Sequence, residues 1–225
     1  MFHSTRYRIY PNAEQEVLLS KHFGCVRWVF NWALATKKAA WEERQENLSK
    51  FDLAKRLPEM KRAEETGWLK EVNAQSLQGA LRNLDSAYTR FFREKKGFPK
   101  FKSKHGRQSF QVPQCGVVGE NFVKIPKVGK IKAKISRPVV GKIKTITISR
   151  TPTGKYFASV LSETEETSPE KIPVTEAGTV GIDLGLKYYA TLSTGEKVKN
   201  PRPLKKQMKR LRRAQRRLSR RKKGS

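Results

Sequence analysis

The sequence predicts an α+β chain of more than one domain, with helices first and short antiparallel strands after them. Three observations predict it. Apolar residues recur at helical spacing from Asn12 to Glu94. From Gln108 the period switches to two and holds to Ser162. Val180-Gly181-Ile182-Asp183-Leu184-Gly185 then opens a separate strand–turn–strand, followed by a very basic helix.

A length of 225 residues allows one or two ordinary domains with proper cores. The charge narrows the function class. With 49 Lys+Arg against 20 Asp+Glu, the net charge is +29. Such an excess repels itself unless a polyanion is present, so nucleic acid is the leading partner. A membrane surface is the other polyanion, but no apolar run reaches the ~18 residues needed to span a bilayer. The N-terminus, Met1-Phe2-His3-Ser4-Thr5-Arg6, lacks a signal-peptide apolar region, and a cytoplasmic protein is expected. Cys25 and Cys115 stand far apart with no C-x-x-C, so no zinc ribbon is expected within these residues and both thiols are read as reduced.

Arg6-Tyr7-Arg8-Ile9-Tyr10 alternates and ends at Pro11, a short strand. Asn12 with Gln15 forms a capping box for a helix to about Gly24. A second helix places Val26, Val29, Phe30, Ala33, Leu34 and Trp41 on one face, with Arg27, Lys37 and Lys38 opposite. Two helices joined at a glycine fit a helix-turn-helix. The same spacing fits two core-forming helices of a bundle. Ser49 with Asp52 caps a third helix to about Glu59, and Ala63–Gly67 breaks it. Asn73 caps the longest predicted helix, Ala74–Glu94, where Leu77, Leu81, Leu84, Tyr88, Phe91 and Phe92 make a core stripe. Its polar face carries Gln75, Gln78, Arg82 and Asn83. Gln and Asn can read adenine edges and Arg can read guanine, although a solvated face needs the same residues.

Composition changes over Lys95, Lys96, Gly97, Phe98, Pro99, Lys100, Phe101, Lys102, Ser103 and Lys104. Cations for phosphates alternate there with rings for unpaired bases. Strands follow at Ser109–Val112, Asn121–Ile125, Lys130–Ile135, Lys142–Arg150 and Lys155–Ser162, the last two joined by a hairpin at Thr151-Pro152-Thr153-Gly154. Several short strands with one basic face suggest a small barrel, a common single-strand or RNA platform. Glu163–Glu176 is the only acidic stretch and reads as a solvated linker. Asp183 lies in an apolar strand where burial is expected, and a metal is the commonest reason to keep an acid there. A second strand is Tyr188–Leu192, a turn falls at Ser193-Thr194-Gly195, and Lys197-Val198-Lys199 adds a third. From Lys199 onward there are 14 Lys/Arg and no acid. Leu204, Met208, Leu211 and Leu218 form a helical stripe. Arg212, Arg213, Arg216, Arg217 and Arg220 lie off it, suited to phosphates.

Two-metal phosphodiester cleavage needs several carboxylates converging on Mg²⁺ ions about 3.5–4 Å apart. An Asp in a first strand with an antiparallel second strand is how RNase H-like nucleases begin, and Gly181–Ser193 fits that pattern. The chain as a whole resembles one family, the TnpB (OrfB) proteins of bacterial and archaeal insertion sequences, relatives of the type V CRISPR effectors. The resemblance is carried by Tyr7-Arg8-Ile9-Tyr10-Pro11, Phe23–Trp32, Trp68–Val72, Ser76-Leu77-Gln78, Leu81-Arg82-Asn83-Leu84 and Gly97–Lys102. It continues in the Asp183 strand and Lys209–Ser225.

The resemblance implies a layout and an activity. A helical recognition domain (11–96, with a helix-turn-helix at its start) is inserted into an antiparallel β-barrel wedge domain (1–10 plus 97–172). The first strands of an incomplete RNase H-like (RuvC) domain and the basic helix follow (173–225). Family members are prokaryotic, nucleoid-associated, Mg-dependent, RNA-guided DNA endonucleases. A transposon-end guide RNA pairs with the target, and the protein reads a short adjacent motif in double-stranded DNA. Asp183 is then the first catalytic carboxylate and a Mg ligand. Arg27, Gln78, Arg82 and the Lys95–Lys104 stretch then lie near the motif duplex and the RNA.

Full-length members continue past the residues matching Lys222-Lys223-Gly224-Ser225, with a second catalytic Glu, a four-Cys zinc ribbon and a third catalytic Asp. Here the only acid after Asp183 is Glu196. One carboxylate cannot hold two Mg²⁺ ions, and two or three strands with one helix leave apolar faces uncovered. Three readings follow: a truncated family protein that binds nucleic acid and does not cut alone, half of a split nuclease completed by a separately encoded RuvC/zinc-ribbon segment, or a non-catalytic, repressor-like RNA-guided DNA-binding protein.

Overall fold

A computed structural model describes residues 1–165, 167, 175 and 178–221. They fall into two compact units, Met1–Ser168 and Pro169–Ser225. Most of the acidic linker, 163–176, lies outside the described residues. No helix among those described is long and apolar enough to cross a membrane.

The first unit begins with β1 (Phe2–Tyr10) and α1 (Ala13–Arg44). The capping box is present. Asn12 Oδ1 accepts the Gln15 N–H at 2.8 Å and Gln15 Oε1 accepts the Asn12 N–H at 3.2 Å. The amide of Gln15 also donates to the Lys130 carbonyl at 2.8 Å, pinning the helix start to the sheet. The expected break at Gly24 is absent, and α1 runs on for 32 residues as the longest helix. A glycine inside a helix costs only about 1 kcal/mol. Phe23, Cys25, Val26, Val29 and Phe30 on either side of it are all buried, and their packing outweighs that cost. Trp41, expected on the core face, is 53% exposed.

α2 (Lys50–Arg62) has its Ser49–Asp52 capping box. A short 3-10 turn, Gly67–Glu71, leads to α3 (Ala74–Glu94), whose Asn73 Oδ1 accepts the Gln75 N–H. Leu77, Leu81 and Leu84 are buried as expected. Phe92 is not core: it is 72% exposed. The end of the stripe packs on Phe98 instead, edge-on to Tyr88 at 5.6 Å and Phe91 at 5.3 Å, which leaves Phe92 outside.

Seven strands follow the order β2-β6-β7-β1-β5-β4-β3, every neighbouring pair antiparallel. They are β2 (Gln108–Val112), β3 (Val117–Val118), β4 (Phe122–Ile125), β5 (Gly129–Lys134), β6 (Lys142–Arg150) and β7 (Tyr156–Glu163), with β1 in the middle. The β6–β7 hairpin is as predicted. Thr151 N–H donates to the Lys155 carbonyl at 2.8 Å, and Gly154 takes φ +77°, a conformation that favours glycine. The sheet is open rather than a closed barrel among the described residues. Closure needs the edge strands to pair in register, and edge strand β3 is only two residues long.

Alternation puts Tyr7, Ile9, Phe110, Ile131, Ile146, Ile148 and Val160 on one face, where they share a single core with the buried residues of α1, α2 and α3. His22 of α1, fully buried, joins three elements there. Its Nδ1 pairs with the Leu18 carbonyl at 2.8 Å, its Nε2 accepts the Asn73 N–H at 3.1 Å, and its ring stacks on Phe110 at 4.9 Å. This arrangement requires the neutral imidazole, and burial lowers the His22 pKa accordingly.

The second unit holds β8 (Ile182–Leu184), β9 (Tyr188–Leu192) and β10 (Lys197–Lys199) in the order β10-β9-β8, then α4 (Pro203–Ser219). Asp183 pairs across from Thr191. The expectation that Asp183 is buried is not met. All of β8 is exposed, with Ile182 at 63% and Leu184 at 69%. Three short strands and one helix provide no second layer over that strand, so an acid there stays hydrated at no desolvation cost.

Candidate nucleic-acid interface

The register of the large sheet builds a surface that no single strand announces. Core residues occupy alternate positions, so Arg6, Arg8 and Tyr10 of β1 share the opposite face. Arg8 pairs with Lys134 of β5 on one side and Phe157 of β7 on the other, and Tyr10 pairs with Lys132. Lys132 pairs in turn with Phe122, and Lys130 with Lys124. Six cations and three rings thus lie on one face: Arg6, Arg8, Lys124, Lys130, Lys132 and Lys134 with Tyr10, Phe122 and Phe157. The carboxylate on that side, Glu163, sits at the strand end and is paired with Lys144 at 2.5 Å, which lowers its pKa.

Cations and rings are in contact. The Arg6 guanidinium lies 3.9 Å from the Phe157 centroid. Arg8 lies 5.2 Å from Phe157 and 5.3 Å from Tyr10, and Lys130 lies 4.9 Å from Phe122. Arg8 Nη1 is buried without a hydrogen-bond partner, and Phe157 and Tyr10 flank that guanidinium. Such a surface can take phosphates on its cations and unpaired bases on its rings.

The residues nominated from sequence divide into groups. Lys95 caps α3 in the left-handed region, Lys96 pairs with Glu94 at 2.7 Å, and both are exposed. Lys100, Phe101 and Lys104 are exposed on the loop before β2. Phe98 is engaged in the aromatic cluster with Tyr88 and Phe91. Lys102 is not a free cation. Its Nζ sits 4.0 Å from the Phe30 centroid, burial lowers its pKa, and its backbone is clamped by Asn31 through bonds of 2.7 and 3.0 Å. Arg27 is half-buried and donates from Nη1 to Gln108 Oε1 at 3.1 Å. Gln78 and Arg82 are exposed on α3. Nearby Gln75 donates to Gln114 at 2.8 Å, joining the helix start to the loop after β2. Arg212, Arg213, Arg216, Arg217 and Arg220 are exposed on and just after α4, in the same unit as Asp183.

Arg6, Arg8, Lys124, Lys130, Lys132 and Lys134 are not among the site residues that the sequence nominates. The signal was present in the alternation of basic and apolar residues in β1 and β5, but their convergence needs the register. Among the described residues no group of three His, Cys, Asp or Glu could hold a metal ion. Cys25, buried, and Cys115, exposed, are unpaired, and burial pushes the Cys25 thiol up to about 11.

Two family models match. One, described as a helix-turn-helix domain of the IS605 OrfB proteins, covers residues 1–46, and the other, described as a probable transposase of the same proteins, covers residues 159–225. The first spans a region that here is a strand and one continuous helix. Among curated proteins, the chain is 38% identical to a "Putative RNA-guided DNA endonuclease" of Streptomyces pristinaespiralis over 98% of this chain and 55% of that protein. It is 35% identical to InsQ of Escherichia coli, named likewise, over 98% of this chain and 54% of that protein. The chain therefore spans about half the length of these relatives. Among solved structures, a Cas12f1–sgRNA–target DNA complex matches 98% of this chain and 62% of that chain at 14% identity and a TM-score of 0.38, too distant to define the fold.

Proposed function

The chain belongs to the IS605 OrfB (TnpB) family of transposon-encoded proteins, and from that premise we propose that it is a nucleic-acid-holding part of an RNA-guided DNA endonuclease. The observation that carries the reading is the open sheet face, where six cations and three rings stand together, with Glu163 at the strand end already paired. Guide RNA from the transposon end lies on this face and the Lys95–Lys104 loop. Gln78 and Arg82, beside the Gln75–Gln114 bond, read the motif in double-stranded target DNA. The family layout assigns 1–10 plus 97–172 to the wedge, 11–96 to recognition and 173–225 to the start of the RuvC-like domain. The α4 arginines add backbone contacts.

Asp183 is assigned as the first RuvC-type carboxylate. The residues present do not fit a Mg²⁺ pair: Asp183 is exposed, and no three metal-ligating side chains converge among the described residues. The test is to incubate the purified chain with its transposon-end RNA, Mg²⁺ and a matched plasmid. The expected outcome is tight RNA binding, intact plasmid, and equal RNA binding by Asp183→Ala. Failure to bind RNA overturns the reading. Mg²⁺-dependent cutting that Asp183→Ala abolishes overturns the incompetence of the isolated chain.

A further inference from the structure

The basic face ends in a walled cavity of about 780 Å³. It lies where β2 begins and where β6 turns into β7, since Gln108 and Arg150 are cross-strand partners. One wall is the loop before β2, which brings Lys104 and Arg107. The other is the β6–β7 hairpin, which brings Ser149 and Arg150, and Arg6 and Ser159 of the sheet also line the space. Four basic residues, Arg6, Lys104, Arg107 and Arg150, line it, and no carboxylate does.

Both walls are fixed by bonds of their own. Gln108 Nε2 donates to the carbonyls of Lys104 at 2.8 Å and Gly106 at 3.0 Å, while its Oε1 accepts from Arg27. The Ser103 hydroxyl accepts the His105 N–H at 3.1 Å. On the hairpin, Thr151 Oγ1 accepts the Lys155 N–H at 2.9 Å. The loop's carbonyls are thus occupied by Gln108, and two of the cavity's cations lie over rings rather than beside acids, Arg6 over Phe157 and Arg150 over Tyr156. Arg27 acts here as a positioning residue, two bonds behind the cavity, rather than as a contact to ligand.

We propose that this cavity seats the terminal phosphate of a nucleic-acid strand lying on the sheet face. The inference rests on the nucleic-acid reading of that face. An internal phosphodiester carries one charge. A phosphomonoester carries about −1.5 to −2 at neutral pH and three acceptor oxygens. Four cations with hydroxyls at Ser149 and Ser159 match the second better than the first. The two walls stand where β2 begins and β6 turns into β7, at one end of these strands.

The experiment compares short RNAs of one sequence carrying a 5′-phosphate, a 3′-phosphate or hydroxyl ends, by fluorescence anisotropy on the full chain. One phosphorylated end should bind about tenfold more tightly than the hydroxyl-ended RNA. Arg107→Gln on one wall, and separately Arg150→Gln on the other, should bring that ratio to about one, since each removes a charge-assisted contact. Thermal melts of both variants establish that they fold. Equal binding of all three RNAs overturns the proposal. A free nucleoside diphosphate that displaces the RNA end as effectively as a competing phosphorylated end overturns the strand-end assignment. Absence of binding by any RNA overturns the functional reading beneath it, so the two failures are distinguishable.

Discussion

Neutralising the far side of the sheet face, with Lys124→Gln, Lys132→Gln and Lys134→Gln together, should make the slope of log K against log salt for RNA binding shallower by about 2. All three side chains are exposed, so the fold should tolerate their loss within about 0.5 kcal/mol each. Each cation that neutralises a phosphate of single-stranded nucleic acid contributes about −0.7 to the slope of log K against log salt. From this face alone, six such cations contribute a slope of about −4.2, and three contribute about −2.1. Between about 50 and about 200 mM salt, the first slope costs about 300-fold in affinity and the second about 20-fold. Contacts from α4 and the Lys95–Lys104 loop steepen both proteins alike, so the difference of about 2 in slope is the informative quantity. The assay is anisotropy of a labelled guide RNA across that salt range, with a melt of the triple variant to confirm folding. A triple variant that keeps the wild-type slope refutes the placement of RNA on this face and moves the phosphate contacts to the other basic elements.

Three further outcomes test the frame that presents this face. His22 is held neutral by burial, below its ordinary value of about 6.5, while the unfolded chain takes up a proton there. Its stabilisation is therefore present above pH ~6.5 and is lost as pH falls below it. His22→Phe should flatten that part of the pH–Tm curve and cost about 1–3 kcal/mol for the unpaired Asn73 N–H, and an unchanged acid limb would count against the assignment. Asn31→Ala removes both bonds that clamp Lys102 and should speed tryptic cleavage of the Lys100–Lys104 loop; wild-type cleavage rates would show that the loop is held by other contacts. Gly24→Ala should raise stability by about 0.5–1 kcal/mol, because a Cβ there meets nothing within 4 Å, whereas a lower Tm would indicate a turn at that residue.

The parts of the fold that were legible in the sequence are those with local causes. The caps at Asn12, Ser49 and Asn73, the bounds of α3 and the β6–β7 hairpin are written in neighbouring residues, and the structure has them. Gly24 does not break α1, because a glycine between two apolar periods signals a break only until the flanking residues find a common core. Phe92 stays outside the core because the stripe on α3 outruns the surface that covers it. Its final turn meets Phe98 from the next loop instead. The two-residue strand β3 has no period to detect. Asp183 was read as buried from the apolar residues around it, but Ile182 and Leu184 are exposed as well, and the hydrophobicity of β8 records a packing layer that these residues do not supply.

The site was half legible for a related reason. Composition identifies cations, but only pairing determines where they point and what already holds them. Lys102 and Arg27 were natural nominees, yet one lies over Phe30 and the other is bonded to Gln108. Arg8 and Lys134 looked like ordinary strand positions, yet the register sets them directly across from one another. Like charges facing across an antiparallel pair are destabilising, and here the pair sits beside Lys132 and Arg6 with no acid interleaved. A surface selected only for solubility intersperses both signs. One that retains this repulsion across β1 and β5 recovers the cost when a polyanion lies on it, and at the same point binds that polyanion most strongly. The repulsion in the free protein thus supports the proposal that a polyanion lies on this face.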